Sequence, residues 1–310
     1  MAEARGGVDL VGHTMIRLSA GALGPLSQID NLVVQPPKEE HRWIGTATAK
    51  VGEWRAALRS TYIRWALAIN GLEVAADKYA DSTWRRNNNQ FFVHGLGASG
   101  IEVLSVWDGQ TASEAHRKTM PMLAAFGIID LYAGLEEVVF DLYRTYLDQH
   151  RRVLLKGDEC RPLRQLMRAA SSDATQQPAW EKAWSERLNK WQRKKLYDGL
   201  ADVFRSFCRQ TGLKEPSTYK HTTVDTWCEA IDAIAILRHC LVHGAKVVPP
   251  ELASFSSKPY RLTFDFKENE PLAVTLTHLM GVQLFCEQIL SAVNVSLAEM
   301  ALGPPAPPTP

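Results

Sequence analysis

Three side chains that could do chemistry stand close together in one apolar stretch of the sequence. Residues 230–248 read AIDAIAILRHCLVHGAKVV, and Arg238, His239 and His243 interrupt a run of isoleucine, leucine and valine. Histidine exchanges protons near neutral pH, and a guanidinium group binds phosphoryl oxygens through two parallel hydrogen bonds. Residues of these types therefore indicate proton transfer at a phosphate group.

The helix that must position these residues is apolar on nearly every side, which is typical of a buried helix. Arginine is almost never fully buried without a partner. Arg238 is therefore costly at this position unless its side chain faces a carboxylate, a cleft or a phosphate. Thr226 and Glu229 form a capping pattern that predicts the start of the helix, and Gly244 predicts its end.

Spacing along this helix decides which side chains can act together. At about 100° per residue, Arg238 and His243 point about 140° apart, so one helix cannot close a compact site around both. The two could converge if the arginine reaches along the helix axis, or if a second copy of the helix faces the first across a twofold axis. His239 and His243 are four positions apart and share a face.

The rest of the chain reads as mainly helical. Residues 1–45 are irregular with some strand, and apolar periodicity then predicts helices over about 50–80, 111–155, 161–170 and 178–212 and a last helix before the proline-rich end. Thr111 and Glu114 form a capping pattern at the start of the second of these helices.

Two β-hairpins are predicted between the helices. Gly95, Gly97 and Gly100 match the glycine spacing of a dinucleotide-binding loop, but strand-like residues follow them where that loop requires a helix, so they indicate a hairpin turn. A second hairpin is predicted by alternating apolar and polar residues over Tyr260–Phe266, with Leu272–Leu276 as its second strand.

Arginines lie off the apolar stripe of the helix predicted at about 50–80. Arg55, Arg59 and Arg64 are expected on a solvated face, with a phosphate-facing role as the alternative.

The best candidate for a basic patch is in the segment over 178–212. Lys190, Arg193 and Lys194 lie there on other faces of the helix than the tryptophans, and aromatic residues beside cations can form a platform for RNA. At this helical spacing, however, aromatic residues more often belong to the core and the cations to a solvated face.

The string from Arg238 to His243 resembles the R-x4-6-H motif of the HEPN superfamily, in the form with a four-residue spacer. The order of the surrounding elements is also similar: a long helix with the internal acidic pair Glu136 and Glu137, a second long helix, the motif helix ended by Gly244, a hairpin and a final helix. The resemblance covers roughly residues 111–302.

The resemblance implies a mainly α fold, a HEPN-like helical bundle with a small β-hairpin over residues 111–302. A mixed α/β region of unknown role, residues 1–110, precedes this bundle and contains one long amphipathic helix. A disordered proline-rich tail, residues 303–310, follows it.

The resemblance further implies a homodimer joined through the motif helix, which cleaves RNA without a metal or another cofactor in a prokaryotic defence or toxin setting. His243 would handle protons, Arg238 would stabilise the phosphate, and His239, where the family often has asparagine, would orient or handle a second proton. Glu136 and Glu137 would support the site. A regulatory protein or activator could act on the N-terminal region.

Other interpretations of the same residues remain open. Arg238 could be a buried ion-pair partner of Glu136 or Glu137, and His243 could be a helix C-terminal residue favoured by the helix dipole. His239 and His243 could form part of a zinc site, although no HExxH pattern or third ligand accompanies them. The whole domain could be a non-catalytic HEPN-like dimer module that binds a nucleotide or a protein.

Composition sets bounds on the partners and the compartment. The 310 residues include 35 Lys and Arg against 34 Asp and Glu, so RNA must be bound by a local basic patch. Five cysteines without a CxxC pair indicate reduced core thiols in a cytoplasmic protein. The sequence shows neither a signal-peptide pattern nor a transmembrane segment, so no membrane association is expected.

Overall fold

The computed structural model describes residues 16–18, 32–86, 90–256, 262 and 264–304. Of these residues, 73% are helical and 8% are in strands. The prediction of a mainly α chain with a small antiparallel hairpin is therefore confirmed. The end of the proline-rich tail, residues 305–310, lies outside the described residues.

Long helices dominate the order of elements along the chain. The helices are α1 (Arg42–Ala80), α2 (Ser82–Arg86), α3 (Gly109–Gln149), α4 (Arg161–Ser172), α5 (Gln177–Lys195), α6 (Leu200–Thr211), α7 (Val224–Val242), α8 (Pro250–Ser256) and α9 (Leu276–Leu302). The strands are β1 (Ile16–Leu18) and β2 (Leu32–Val34), which pair in parallel, and β3 (Phe91–Gly97) and β4 (Gly100–Trp107), which pair antiparallel.

The chain divides into two compact units. The first unit comprises Met1–Ala57, Ala133–Ala235 and Cys286–Pro310, and the second comprises Leu58–Tyr132 and Ile236–Phe285. The divisions fall within α1, α3, α7 and α9. Each unit therefore combines segments from both sides of residue 110, where the sequence suggested a boundary.

Aromatic side chains fill the core of the first unit. The ring centroids of Trp43 and Tyr146 are 5.1 Å apart, and those of Tyr143 and Trp191 are 4.8 Å apart, both edge to face. Phe207 is fully buried and contacts Trp43 and Tyr143. Edge-to-face pairs of this kind add to the apolar burial that holds helices together.

An ion pair lies inside the first unit where the sequence predicted a solvated face. The guanidinium of Arg55 contacts Glu287 Oε2 at 3.0 Å, and the two side chains are only 12% and 15% exposed. The prediction for Arg55 was therefore wrong, because α9 covers the face of α1 that carries it. The periodicity of one helix does not show that a distant helix packs against its polar face.

The start of α3 differs from its prediction by three residues. Asp108 Oδ1 accepts a hydrogen bond from the backbone N–H of Thr111 at 2.7 Å, so Asp108 is the N-cap. The predicted capping pair of Thr111 and Glu114 already lies inside the helix, within its first two turns. The cap was missed because Asp108 follows the last residue of β4, Trp107, with no loop between strand and helix.

Two further predictions of local structure are corrected. The single helix predicted over 178–212 is two helices, because the chain breaks after α5 and turns at Gly199, whose φ is 81°. No strand forms at Leu272–Leu276, and Leu276 instead begins α9. Part of the other predicted strand, residues 260, 261 and 263, lies outside the described residues; its described remainder, residues 262 and 264–266, is not strand.

The glycine-rich hairpin is confirmed. Gly97 and Gly100 face each other at its turn, and Gly100 has a φ of 123°, which a residue with a side chain rarely adopts. The glycines therefore serve the turn, and β4 follows directly where a dinucleotide loop would need a helix.

Candidate active site

Helix α7 begins at a capping side chain and ends at a glycine. Thr223 Oγ1 accepts a hydrogen bond from the N–H of Thr226 at 3.3 Å, so Thr223 is the N-cap and the predicted capping pair of Thr226 and Glu229 is wrong. Gly244 has a φ of 66°, and the N–H of Ala245 donates to the carbonyl of Cys240 at 2.9 Å. The predicted end of the helix at Gly244 is thus confirmed.

The candidate catalytic residues lie at the exposed C-terminal end of this helix, with His243 directly after its last residue. Leu237 is fully buried, whereas Arg238, His239 and His243 are all exposed. Arg238 makes no ion pair or hydrogen bond with any residue that the structure describes. The expected cost of a buried arginine therefore does not arise, and its guanidinium is available to a ligand.

The two histidines contact each other. Their ring centroids are 4.3 Å apart, with an angle of 50° between the ring planes. The N–H of His243 still donates to the carbonyl of His239 at 3.1 Å, so the helical turn continues to His243. The structure thus brings two proton-exchanging groups together on one face, as the four-residue spacing predicted.

The chain that leaves the site is held by backbone pairing that the sequence analysis missed. The N–H of Val248 donates to the carbonyl of Glu270 at 2.9 Å, and the N–H of Leu272 donates to the carbonyl of Lys246 at 3.0 Å. Lys246 and Val248 follow α7 closely, and all four paired residues belong to the second unit. The consecutive valines at 247 and 248 were a signal for an extended segment at this point.

A buried histidine fixes the segment that supplies this pairing. Nδ1 of His278 accepts the N–H of Thr275 at 3.0 Å, at the start of α9, and its Nε2 lies 2.9 Å from Asp265 Oδ1. The ring also stacks on Phe266 with centroids 4.6 Å apart. The hydrogen bond from His278 lowers the pKa of the Asp265 carboxyl. His278 therefore has a structural role that its sequence position did not suggest.

The predicted basic patch has exposed cations but buried aromatic rings. Lys190, Arg193 and Lys194 are exposed on α5, in the first unit. The apolar side chains of the same helix are buried in the core: Trp180, Trp184, Leu188 and Trp191. Because the tryptophans are buried, they cannot stack on bases. This helix can therefore contact RNA only through its charged side chains.

The predicted supporting carboxylates are on α3, also in the first unit. Glu136 is half-buried and Glu137 is exposed. Both side chains already interact with other groups of the protein.

The described residues show no sign of a metal site or of a membrane span. In the described part of the chain, no three His, Cys, Asp or Glu side chains are grouped so that they could hold a metal ion. Within the same residues, no helix combines the length and the apolar character needed to cross a membrane. Comparison of the chain with protein-family models, with curated proteins and with solved structures gave no match.

Proposed function

We propose that this protein is a metal-independent endoribonuclease of the HEPN type, with Arg238, His239 and His243 as its active site. One observation carries the proposal. All three side chains are exposed at the C-terminal end of α7, the two imidazoles contact each other, and Arg238 has no ion-pair partner among the described residues. A free guanidinium and a pair of imidazoles at the same end of the helix are groups that suit the binding and cleavage of a phosphodiester.

Each residue has a defined role in the proposed reaction. An imidazole removes the proton of the ribose 2′-hydroxyl, and the 2′-oxygen attacks the adjacent phosphorus. Arg238 stabilises the charge that develops on the phosphoryl oxygens. A protonated imidazole then gives its proton to the leaving 5′-oxygen, for which we assign His243. The products are a 2′,3′-cyclic phosphate and a 5′-hydroxyl, and no water or metal enters this step.

A second copy of the chain completes the proposed site. Because Arg238 and His243 point about 140° apart on one helix, the arginine of one copy is better placed to serve the histidines of another. Val242 and Val247 flank the histidines and are 46% and 50% exposed. These apolar side chains support a homodimer formed through α7, since their burial between copies is favourable.

The exposed cations Lys190, Arg193 and Lys194 are proposed to contact the RNA backbone. Lysine and arginine side chains that neutralise phosphates contribute affinity without reading sequence. By the same resemblance we place the activity in the cytoplasm of a prokaryote, in a defence or toxin system controlled by a regulatory protein or activator.

A cleavage assay tests the proposal. Wild type is incubated with total RNA and with structured RNA in excess chelator, beside Arg238→Ala and His243→Ala. Arg168→Ala and His221→Ala serve as matched controls because both residues are exposed and lie outside the proposed site. Cleavage should persist with the chelator, leave cyclic phosphate ends, survive in the controls and disappear in both site variants.

Three outcomes would contradict the proposal. Cleavage that requires a metal, or that persists in both site variants, rules out the mechanism. A folded, dimeric wild type that does not cleave RNA, but binds a nucleotide through Arg238, would instead establish the non-catalytic binding module.

A further inference from the structure

The turn between α5 and α6 exposes an aromatic side chain. Tyr197 is 92% exposed, the highest fraction among the large apolar side chains that the structure describes. Its side chain forms no hydrogen bond or ring contact with any residue in the described ranges. Tyrosine rings contribute to stability when they are buried, so the fold makes no use of this one. The ring of Tyr197 is therefore available to a ligand.

The turn that carries Tyr197 is held by local contacts. The N–H of Asp198 donates to the carbonyl of Lys195 at 3.0 Å, and the ammonium group of Lys195 pairs with the carboxylate of Asp198. Gly199, with a φ of 81°, then leads the chain into α6. An ordered ring binds a ligand at a lower cost in conformational entropy than a mobile one.

Three exposed cations share a helix face with Tyr197. They are Lys190, Arg193 and Lys194, and their spacing from one another and from the tyrosine is that of a single helical face. Although α5 ends before it, Leu196 keeps helical backbone angles, with φ −58° and ψ −25°. The N–H of Tyr197 still donates to the carbonyl of Lys194 at 3.4 Å. The three cations and the ring therefore form one continuous surface, the α5 stripe.

The positive charge of the α5 stripe is not neutralised. None of its three cations pairs with a carboxylate in the described part of the chain. Residues 190–198 contain four Lys and Arg and one Asp, a net charge of +3, whereas the whole chain has a net charge of +1. The helix dipole favours cations at the C-terminal end of a helix, but it does not account for an exposed tyrosine beside them. Cations with an aromatic ring are instead typical of surfaces that bind single-stranded nucleic acid.

We propose that Tyr197 stacks on an unpaired base of the RNA while Lys190, Arg193 and Lys194 hold the adjacent phosphates. This site rests on RNA as the partner in the proposed function, and it adds that the substrate contains an unpaired segment. From Lys190 to Tyr197 the helical path rises about 10 Å. That length matches about three nucleotides of a stacked strand, at about 3.4 Å each.

The α5 stripe suits a single strand better than other partners with negative charge. In an A-form duplex the bases are paired and stacked on each other, so none of them offers its face to a lone tyrosine. An acidic protein surface would satisfy the cations but would leave the ring without a role. Unpaired nucleotides offer a base face and a phosphate together, and any base can stack on the ring.

A binding assay with an RNA that cannot be cleaved tests the site. The probe is a short, unstructured 2′-O-methyl RNA, whose methylated 2′-oxygen cannot attack phosphorus, and fluorescence anisotropy with the full chain measures its dissociation constant. Tyr197→Ala should raise this constant about 5- to 150-fold, the effect of losing one base–aromatic stack. Tyr197→Phe keeps the ring and should bind like wild type. The matched control Leu67→Ala should also bind like wild type, since Leu67 is 60% exposed on α1.

Two further measurements separate stacking from charge. Lys194→Ala removes a phosphate contact and should reduce the slope of log affinity against log salt by about 0.7, whereas Tyr197→Ala should leave that slope unchanged. The same RNA annealed to its complement should bind Tyr197→Ala and wild type equally, since paired bases offer no face to the ring. Thermal unfolding of both variants should match that of wild type, because both side chains are exposed.

Failure of this site and failure of the nuclease proposal are distinguishable. Equal single-strand affinity of wild type and Tyr197→Ala overturns the site, as does an equal loss of duplex affinity in Tyr197→Ala, and neither result affects cleavage that depends on His243. Single-strand binding that depends on Tyr197, by a wild type that cleaves no RNA, supports the site and contradicts the nuclease. A wild type that binds neither RNA overturns the site, and binding of polyglutamate through Lys194 in its place would assign the stripe to an acidic protein.

Discussion

The imidazole rings of His239 and His243 lie with their centroids 4.3 Å apart on the exposed end of α7. One helical turn separates the two residues, so the backbone itself sets this contact. Two proton-exchanging groups in contact can divide the work of a base and an acid in one reaction. The contact also means that a change at one ring alters the surroundings of the other.

The two histidines should contribute unequally to cleavage. His243→Asn removes the proposed acid and should lower kcat about 10²- to 10⁴-fold, the usual contribution of general acid–base catalysis. His239→Asn keeps a polar side chain for orientation and should lower kcat less than His243→Asn does. Single-turnover cleavage of one RNA by both variants measures the difference. Equal, large losses would show that His239 is itself an essential proton-handling group.

The ion pair between Arg55 and Glu287 should be important for stability. Arg55→Leu leaves the largely buried carboxylate of Glu287 without its arginine and should lower the free energy of unfolding by about 3 kcal/mol. The control is Arg42→Ala, since Arg42 pairs with Glu39 where the side chains are 72% and 85% exposed and the loss should stay within about 0.5 kcal/mol. Urea unfolding of each variant measures both values, and equal losses would contradict the buried pair.

Two helical glycines should respond to alanine in opposite directions. A Cβ added at Gly71 meets nothing within 4 Å, so Gly71→Ala should raise the free energy of unfolding by about 0.5–1 kcal/mol. A Cβ at Gly127 lies 2.9 Å from the side chain of Leu279 and 3.1 Å from Trp65, so Gly127→Ala should be destabilising. Thermal unfolding compares the two variants, and a stabilising Gly127→Ala would show that Leu279 moves aside freely.

The native thiols should be nearly unreactive. Burial raises the pKa of Cys228 to about 11 and that of Cys286 to about 12, so few thiolates exist at pH 8. Reaction with a thiol reagent should be slow in the folded protein and complete for all five cysteines in denaturant. Rapid labelling of the native protein would contradict this burial.

The same thiols predict how stability changes in alkali. Thiols of the unfolded chain ionise near pH 8.5, whereas Cys228 and Cys286 stay protonated in the folded protein until about pH 11 and 12. The folded state therefore binds more protons between these values, and stability should fall as the pH rises from about 8.5. Replacing Cys228 with alanine should reduce this slope, as measured by urea unfolding at pH 8 and pH 10.

The helix caps show which helix ends can be predicted from the local sequence. The sequence predicted the end of α7 at Gly244 correctly, because a left-handed residue after a helix depends on the glycine itself. The starts of α3 and α7 were each placed three residues late, because several Thr and Asp residues nearby could cap. Which of them does so depends on the path by which the preceding chain arrives.

By itself, the sequence determined the helical class, the hairpin turn at Gly97 and Gly100, and the shared face of His239 and His243. These features follow from residues a few positions apart, so local periodicity and backbone preference suffice. Only the tertiary structure decided that Arg238 is exposed, that Arg55 is paired inside the core, and that Val248 pairs with Glu270. Periodicity tells which side chains share a face, but burial and pairing depend on which distant segment covers that face.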